Sequence, residues 1–474
     1  MSLHRRDLII GTLAAPFVLP SSVRGQPDGK IYDLVVAGAG AAGLTAACLA
    51  AEYGLRRILV LESEPLIGGS SIISGGFWAV SGTELQKERG VIDSDKVFYG
   101  DILAVGAHKN DERLVRAFIR ENRRQYEWVL AQGVAPQTLA PGSGTLRAHV
   151  FDAKKLVSRL YRRAASSGVD VRVGARVREL FFDRSRNRVV GVRTDRAAYA
   201  ARAVLLATGG FSRNTALLEK YSPRMRFVST IAAQGSRGDG ILMAQALGAG
   251  LADMEWLEAS YAFIQNPTTI HDMTFVNYHG GIIVNKFGRR FVDESLPYKL
   301  IAKAVLQQSD AKSFIVFDER IRGISERQPM DRRRWDVVPL GTGRTLAEAA
   351  NQCSIDPAAL QETVEAYNKA VARGEDAGRG SVAVNNGRLL TIDRPPFYVL
   401  PVSPCLLGTY CGIKINDRAR VLTAQGDEIK GLWAAGEVTG GFHGASFIMG
   451  TALGKAQTFA RIAAQDIARS LGEA

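Results

Sequence analysis

Asp33-Leu34-Val35-Val36-Ala37-Gly38-Ala39-Gly40-Ala41-Ala42-Gly43, continued by the small-residue segment 44–51 and then by Ile58-Leu59-Val60-Leu61-Glu62, reads as strand, glycine turn, helix, strand and terminal acid. Each part has a physical task in holding a dinucleotide. Gly38 permits a tight turn, Gly40 lets the backbone approach a pyrophosphate, Gly43 brings helix and strand close together, and Glu62 can accept hydrogen bonds from a ribose diol. A Gly-x-Gly-x-x-Gly run alone is common. Here an apolar strand enters it, a helix leaves it, and the acid closes the next strand, so the stretch predicts a dinucleotide site.

The 474 residues are 46% hydrophobic and 23% charged, a globular composition with material for two domains. The N-terminus is of another kind. His4-Arg5-Arg6-Asp7-Leu8-Ile9-Ile10, the apolar run 8–19 and Ser21-Ser22-Val23-Arg24-Gly25-Gln26 read as a twin-arginine export signal over residues 1–26. The run contains Pro16 and falls short of the about 20 residues of a membrane span. The expectation is a periplasmic enzyme with no membrane span.

The formal charge is +13, partly from Arg159, Arg162, Arg163, Arg172, Arg176, Arg178, Arg184, Arg186, Arg188 and Arg193. These alternate with Val171, Val173, Val177 and Leu180 at strand spacing, which predicts a twisted antiparallel meander with its arginines in solvent and no nucleic-acid surface. Cys48, Cys353, Cys405 and Cys411 form no Cys-x-x-Cys, so no metal site is expected.

Helices are expected over residues 96–104, 111–131, 153–166, 241–247, 357–372 and 454–470. Ala203-Val204-Leu205-Leu206-Ala207-Thr208-Gly209-Gly210-Phe211 reads as a buried strand running into a glycine turn, and Gly235-Ser236-Arg237-Gly238-Asp239-Gly240 as a nest of backbone amides. Between 257 and 391 the character changes to aromatics, short strands and a polar helix, which reads as an inserted second domain. Residues 392–474 then return to the style of 31–256, with Gly431-Leu432-Trp433-Ala434-Ala435-Gly436-Glu437-Val438 as another strand, turn and acid.

Taken together, these stretches resemble the fumarate reductase and succinate dehydrogenase flavoprotein family over essentially the whole mature chain. The matching blocks are Gly38 to Gly43 with Glu62, Gly68-Gly69-Ser70-Ser71 with Ser74-Gly75-Gly76, Ala207-Thr208-Gly209-Gly210-Phe211, Ser236 to Gly240, and Gly436-Glu437-Val438-Thr439-Gly440-Gly441. The resemblance implies an α/β fold: a Rossmann-like, glutathione-reductase-type FAD-binding domain (31–256 and 392–474) with an inserted α+β substrate or capping domain (257–391). It implies FAD extended across the first domain, with Ala42, Val177 and Asp239 also in contact. Glu437 would lie near the ribityl chain and Gly450-Thr451-Ala452-Leu453 beneath the flavin pyrimidine. A helix N-terminus near Leu453 would stabilise negative charge on reduced flavin. In succinate dehydrogenase a histidine tethers the flavin covalently. The aligned residue here is Gly69, so the FAD is expected to be non-covalent.

The substrate side departs from fumarate reductase. A C4-dicarboxylate needs arginine and histidine donors on its carboxylates, and the family also uses an arginine as proton donor. Where that arginine is expected, this chain reads Arg290-Phe291-Val292-Asp293-Glu294-Ser295-Leu296-Pro297-Tyr298. Leu407-Gly408-Thr409 replaces a His before Thr, His443-Gly444-Ala445-Ser446-Phe447 replaces His-Gly-Ala-Asn-Arg, Ser260 replaces a third carboxylate ligand, and the proton relay aligns near Asn277 and Thr274. Glu294-Ser295-x-Pro297-Tyr298, Leu407-Gly408-Thr409 and Gly69-Ser70-Ser71 with Gly75-Gly76-x-Trp78 look like the 3-ketosteroid Δ1-dehydrogenase branch.

In that branch a tyrosine at the Tyr298 position removes a proton next to a ketone, and hydride leaves the neighbouring carbon for flavin N5. A glycine amide, here Gly408, and a second tyrosine, here Tyr398 or Tyr410, polarise the ketone. A phenolate-like base and an oxyanion-type donor make such enolisation feasible. Ser260, His279 and Phe447 are the expected substrate-pocket residues.

Two other functions remain open on sequence. Thr409-Tyr410-Cys411-Gly412-Ile413-Lys414 is similar to tricarballylate dehydrogenase, which fits a periplasmic enzyme of a saturated or unsaturated carboxylate whose clamp uses Lys299, His279 or a further arginine. The third is a flavin electron-transfer protein without its own substrate. For an enzyme, a small-molecule substrate and a separate quinone, cytochrome or small carrier of electrons are expected.

Overall fold

The structure is a computed structural model that describes residues 30–140, 145–264, 267–296, 298–308, 311–327, 340–375 and 389–472. The twin-arginine segment, Pro297 and most of the glycine-rich stretch 374–387 lie outside the described residues.

The strand Ile31–Ala37 becomes fully buried from Leu34 onward, as a strand covered on both faces by helices requires. It runs parallel to Ile58–Leu61 on one side and to Ala198–Leu206 on the other, with Leu34 opposite Ile58 and Val36 opposite Leu205. Glu428–Ala434 continues the sheet parallel to Ala198–Leu206, antiparallel Arg420–Leu422 closes that edge, and Asp170–Arg172 closes the other, parallel to Ile58–Leu61. The arginine-rich segment is therefore split. Residues 170–172 join the parallel sheet, while Val177–Asp183 and Arg188–Thr194 form an antiparallel meander with Ala198–Leu206. Several of its arginines face carboxylates, as in Arg178–Asp195 and Arg193–Glu179.

The helix Ala41–Glu52 is buried from Ala41 to Ala50 because its residues are small enough to admit neighbours on every side. Its partner is the C-terminal helix Thr451–Gly472, where Thr45 Oγ1 donates to Gln457 Oε1 at 2.8 Å. Gly38 adopts φ +111°, open to glycine at little cost. Gly43 has no room for a side chain, since a Cβ there would lie 1.9 Å from the Gly38 carbonyl oxygen. Trp78 fills the core, with its Nε1 donating to Asn122 Oδ1 at 2.8 Å.

A second sheet is organised on the ten-residue strand Phe397–Leu406. Ser260–Ile264, Ser313–Asp318 and Gly341–Gly343 pair antiparallel with it, and Ser229–Thr230 pairs parallel. Ile282–Val284 adds on the far side of Ser313–Asp318. Two of these strands, at 229–230 and 397–406, lie outside the expected insertion 257–391, because the chain enters and leaves this sheet through strands on its flanks. The strand Phe397–Leu406 ends where Leu407-Gly408-Thr409 begins, so the second sheet delivers that tripeptide to the first. Among the described residues no helix is long and apolar enough to cross a membrane.

Candidate active site

Four parallel strands of the first sheet end at one place. Ile31–Ala37 runs into Gly38, Ile58–Leu61 into Glu62, Ala198–Leu206 into Ala207-Thr208-Gly209, and Glu428–Ala434 into Gly436-Glu437. All these residues line a single continuous cleft. Ligands of open α/β sheets bind outside the carboxyl ends of the strands, where the chain can vary without disturbing the core.

At one end of the cleft, Gly38, Gly40, Ala42, Gly69, Ser70, Ser74 and Gly75 form a wall of small residues with the helix Ala41–Glu52 behind it. The first-turn amides of such a helix favour an anionic ligand. Glu62 is buried and oriented here: its Oε2 accepts from Ala39 N–H at 2.8 Å and its Oε1 from Glu64 N–H at 3.0 Å. Val177 and Asp239 complete this end, and Asp239 is held by a bidentate pair from Arg176, both contacts at 2.6 Å. Arg176 thus belongs to the cleft wall and not to the solvent face expected from its strand spacing.

At the other end the lining is aromatic and apolar: Tyr298, Tyr410, Phe447, Leu407, Ile231, Ile270, Met273 and Phe275, with the Gly408 backbone. The Tyr410 and Phe447 rings lie 4.1 Å apart between centroids. Tyr298 stands at the start of the helix Tyr298–Leu306 and packs against the small apolar cluster of Ile231, Phe263, Met273 and Cys405. Burial pushes the Tyr298 phenol well above the usual tyrosine range, and the nearby Glu258 carboxylate pushes it further; burial does the same to Tyr410.

Behind the aromatic wall, Lys299 is 4% exposed. Its Nζ sits 4.3 Å from the Phe447 ring centre, 4.8 Å from that of Tyr410 and 3.6 Å from Glu258 Oε2. Burial lowers its pKa to about 8 against the opposing pull of Glu258. Between the two ends, Gly436, Glu437, His443, Gly450, Ala452, Leu453 and Lys455 also line the cleft. Glu437 Oε1 accepts from Thr409 N–H at 2.9 Å, while burial raises its carboxyl pKa. His443 is held far below the usual imidazole range by burial and then by Lys455 and Lys299, so its ring is neutral.

Several expected residues lie elsewhere. Tyr398 is near the start of the strand Phe397–Leu406, away from the cleft, with its hydroxyl donating to Glu319 and receiving from Arg322 Nη1 at 2.9 Å. Of the two tyrosines left open, Tyr410 alone reaches the site. His279 is off the cleft, its Nδ1 3.0 Å from Ser325 Oγ. Ser260 is buried on the strand Ser260–Ile264, opposite Cys405, and does not line the cleft. Gly43, Gly76 and Thr451 support the wall from behind: Cβ atoms at the two glycines would strike the backbones of Gly38 and Phe151, and Thr451 Oγ1 donates to Ile448 O at 2.6 Å. Sequence reading assigned no role to Lys455 or to the apolar residues Ile270, Met273 and Phe275. A lysine four residues before the apolar stripe of a helix is a signal only once the helix is seen to be buried all round.

A family model for the FAD binding domain matches residues 33–453. The chain belongs to this family. It is 31% identical over 449 residues to a probable fumarate reductase of Shewanella frigidimarina, covering 92% of this chain and 74% of that protein. It is 26% identical over 560 residues to a 3-oxosteroid 1-dehydrogenase of Mycobacterium tuberculosis, covering 93% and 99%. The solved structure of 3-ketosteroid-Δ4-(5α)-dehydrogenase from Rhodococcus jostii RHA1 with 4-androstene-3,17-dione matches at TM-score 0.78 and 27% identity, over 95% of this chain and 100% of that one. The protein is an FAD-dependent oxidoreductase acting on a CH–CH bond, with a flavoprotein fold of mixed α/β sheets.

The residues present fit FAD. The cleft offers a glycine wall and helix amides at the end suited to phosphates and an oriented carboxylate, Glu62, for a ribose. Thr208 Oγ1 is buried in the lining without a hydrogen-bond partner among the described residues, as expected of a group that meets a polar ligand.

Proposed function

We propose that this flavoenzyme desaturates a carbon–carbon bond next to a ketone or comparable carbonyl, or saturates it in reverse, with Tyr298 as the proton-transfer residue. The observation that carries the reading is the pairing of two phenols, Tyr298 and Tyr410, with the Gly408 backbone in the apolar end of the cleft. FAD bound in the cleft supplies the hydride acceptor or donor.

Tyr298 takes the proton from the carbon beside the carbonyl, and in the reverse direction returns it. The Gly408 N–H and the Tyr410 hydroxyl are donors for the carbonyl oxygen as negative charge develops there, which is where preorganised hydrogen bonds lower a barrier most. The apolar lining from Ile231, Met273, Phe275 and Leu407 excludes water and suits an uncharged hydrocarbon body. Among the described lining residues the sole arginine, Arg176, is committed to Asp239, and the sole histidine is neutral. That leaves a dicarboxylate without its usual guanidinium donors.

The test is anaerobic bleaching of the flavin by cyclic ketones. Substrate-dependent bleaching in the native protein and its loss in Tyr298→Phe, with FAD still bound, is the expected result. Full turnover in Tyr298→Phe ends the mechanism. Gly69 at the tethering position supports a non-covalent FAD, so acid precipitation should leave all yellow colour in the supernatant.

A second reading, reduction of an unsaturated carboxylate, is supported by the identity to the fumarate reductase relative and by Lys299, whose Nζ has no hydrogen-bond partner in the described residues. It requires the Phe447–Tyr410 wall to open so that a carboxylate reaches that ammonium. Rapid reoxidation of the reduced protein by fumarate-like acids, abolished in Lys299→Met, would favour it. We further propose a separate carrier for the electrons and export directed by Arg5-Arg6, which a periplasmic reporter fusion checks.

A further inference from the structure

The reaction above makes no use of Lys455. This lysine lies in the first turns of the helix Thr451–Gly472, is 2% exposed, and lines the cleft together with Glu437, His443 and the small residues Gly450, Ala452 and Ala456. Its Nζ donates to the Thr439 carbonyl at 2.7 Å. A buried ammonium in a wall of small residues is costly, and one carbonyl satisfies only one of its three donors.

Four titratable groups face it. Asp253 does not line the cleft, and its carboxylate is engaged by Gly441 N–H at 2.7 Å. Burial raises the Asp253 pKa to about 6, leaving it ionised at neutral pH. Glu437 is held on Thr409 N–H, the Cys411 thiol is pushed far up by burial and stays neutral, and His443 is neutral. Burial lowers Lys455 to about 8 while Asp253 and then Glu437 pull it back up, so the amine is charged at pH 7 and loses its charge above about pH 8.

We infer that Lys455 is a positioning residue for charge: its ammonium gives the cleft floor a fixed positive potential that stabilises the anionic ring of reduced flavin and so makes this flavin a stronger oxidant. Two electrons and one proton leave the substrate together as hydride, and the ring that receives them carries the extra negative charge. The N-terminal dipole of the same helix acts in the same direction. The inference rests on FAD in this cleft and not on the role of Tyr298. A raised potential favours withdrawal of hydride from substrate, hence desaturation.

The experiment uses the purified holoenzyme and two readouts that need no turnover: the two-electron midpoint potential of the flavin and its affinity for sulfite. Sulfite bonds through its lone pair to the flavin ring, which takes up the negative charge, so its affinity reports the local potential. Lys455→Met is expected to lower the midpoint potential and weaken sulfite binding about tenfold or more. Lys455→Arg should stay near the native values at pH 7. Above pH 8 the native protein should lose sulfite affinity relative to Lys455→Arg, whose charge persists; sulfite's own titration is common to both and cancels. A Lys455→Met holoenzyme with native potential and affinity overturns the inference. Should that variant fail to retain FAD, parallel pH profiles for the native protein and Lys455→Arg overturn it instead.

Discussion

Tyr298 shows how position sets the task of a side chain. Packed, partly buried, against Ile231, Met273 and Cys405 and close to the Glu258 carboxylate, its phenol is protonated at neutral pH. Only the phenolate can accept a proton, and well below the pKa its fraction grows about tenfold per pH unit. The kcat/KM for desaturation should therefore rise with pH between about 6 and 8 with a slope near one, and Tyr298→Phe should lose both the slope and about a thousandfold in rate. A flat profile in the native protein would remove Tyr298 as the base.

The place of Tyr298 in the cleft lining, a fixed distance after Arg290 and Glu294, which are locked to each other at 2.7 Å, was legible in the sequence. The choice between Tyr398 and Tyr410 was not. Both flank Leu407-Gly408-Thr409, but Tyr398 sits near the far end of an extended strand, about 30 Å from the tripeptide at strand rise, and only the pairing of that strand shows it is straight.

At the scale of elements, helices whose ends are capped by local side chains were read closely. Residues 153–166 form a helix because Asp152 accepts from Lys155 N–H at 2.9 Å, and 357–372 because Asp356 accepts from Ala358 N–H at 2.9 Å with Pro357 following it. The strand Asp170–Arg172 was misread as part of a meander because its partner, Ile58–Leu61, lies more than a hundred residues upstream. Gly43 joins a helix to the strand before it, and the 1.9 Å left between a Cβ and the Gly38 carbonyl cannot be absorbed by a rotamer change. Gly43→Ala should cost about 1–3 kcal/mol and leave the protein mostly free of FAD, measured by the melting midpoint and the flavin-to-protein absorbance ratio. Native flavin content in this variant would show that the helix can shift away.

For the whole molecule, the two sheets divide the work. The first contributes the carboxyl ends of its parallel strands to the glycine-walled end of the cleft, and the second contributes Leu407-Gly408 and the apolar residues around Tyr298 to the aromatic end. Because the cleft draws on both, FAD should bind the folded state alone. Free FAD at about a hundred times its dissociation constant should stabilise the protein by about 2.7 kcal/mol, seen as a melting midpoint that rises with FAD concentration. A midpoint independent of FAD would mean that the cleft forms no part of the cooperative unit.

The strand, glycine turn, helix and acid within residues 33–62 were legible in the sequence itself, since the contacts that mark the motif, Gly43 against the Gly38 carbonyl and Glu62 on Ala39 N–H, are made within that span. Tertiary structure alone decided that Tyr410 and not Tyr398 enters the cleft, that Arg176 turns inward to Asp239, and that Lys299 and Lys455 are buried. These outcomes depend on contacts such as Ser446 to Glu258, 188 residues apart. Burial of a charge is a property of what surrounds it in space, which no local pattern of residues encodes.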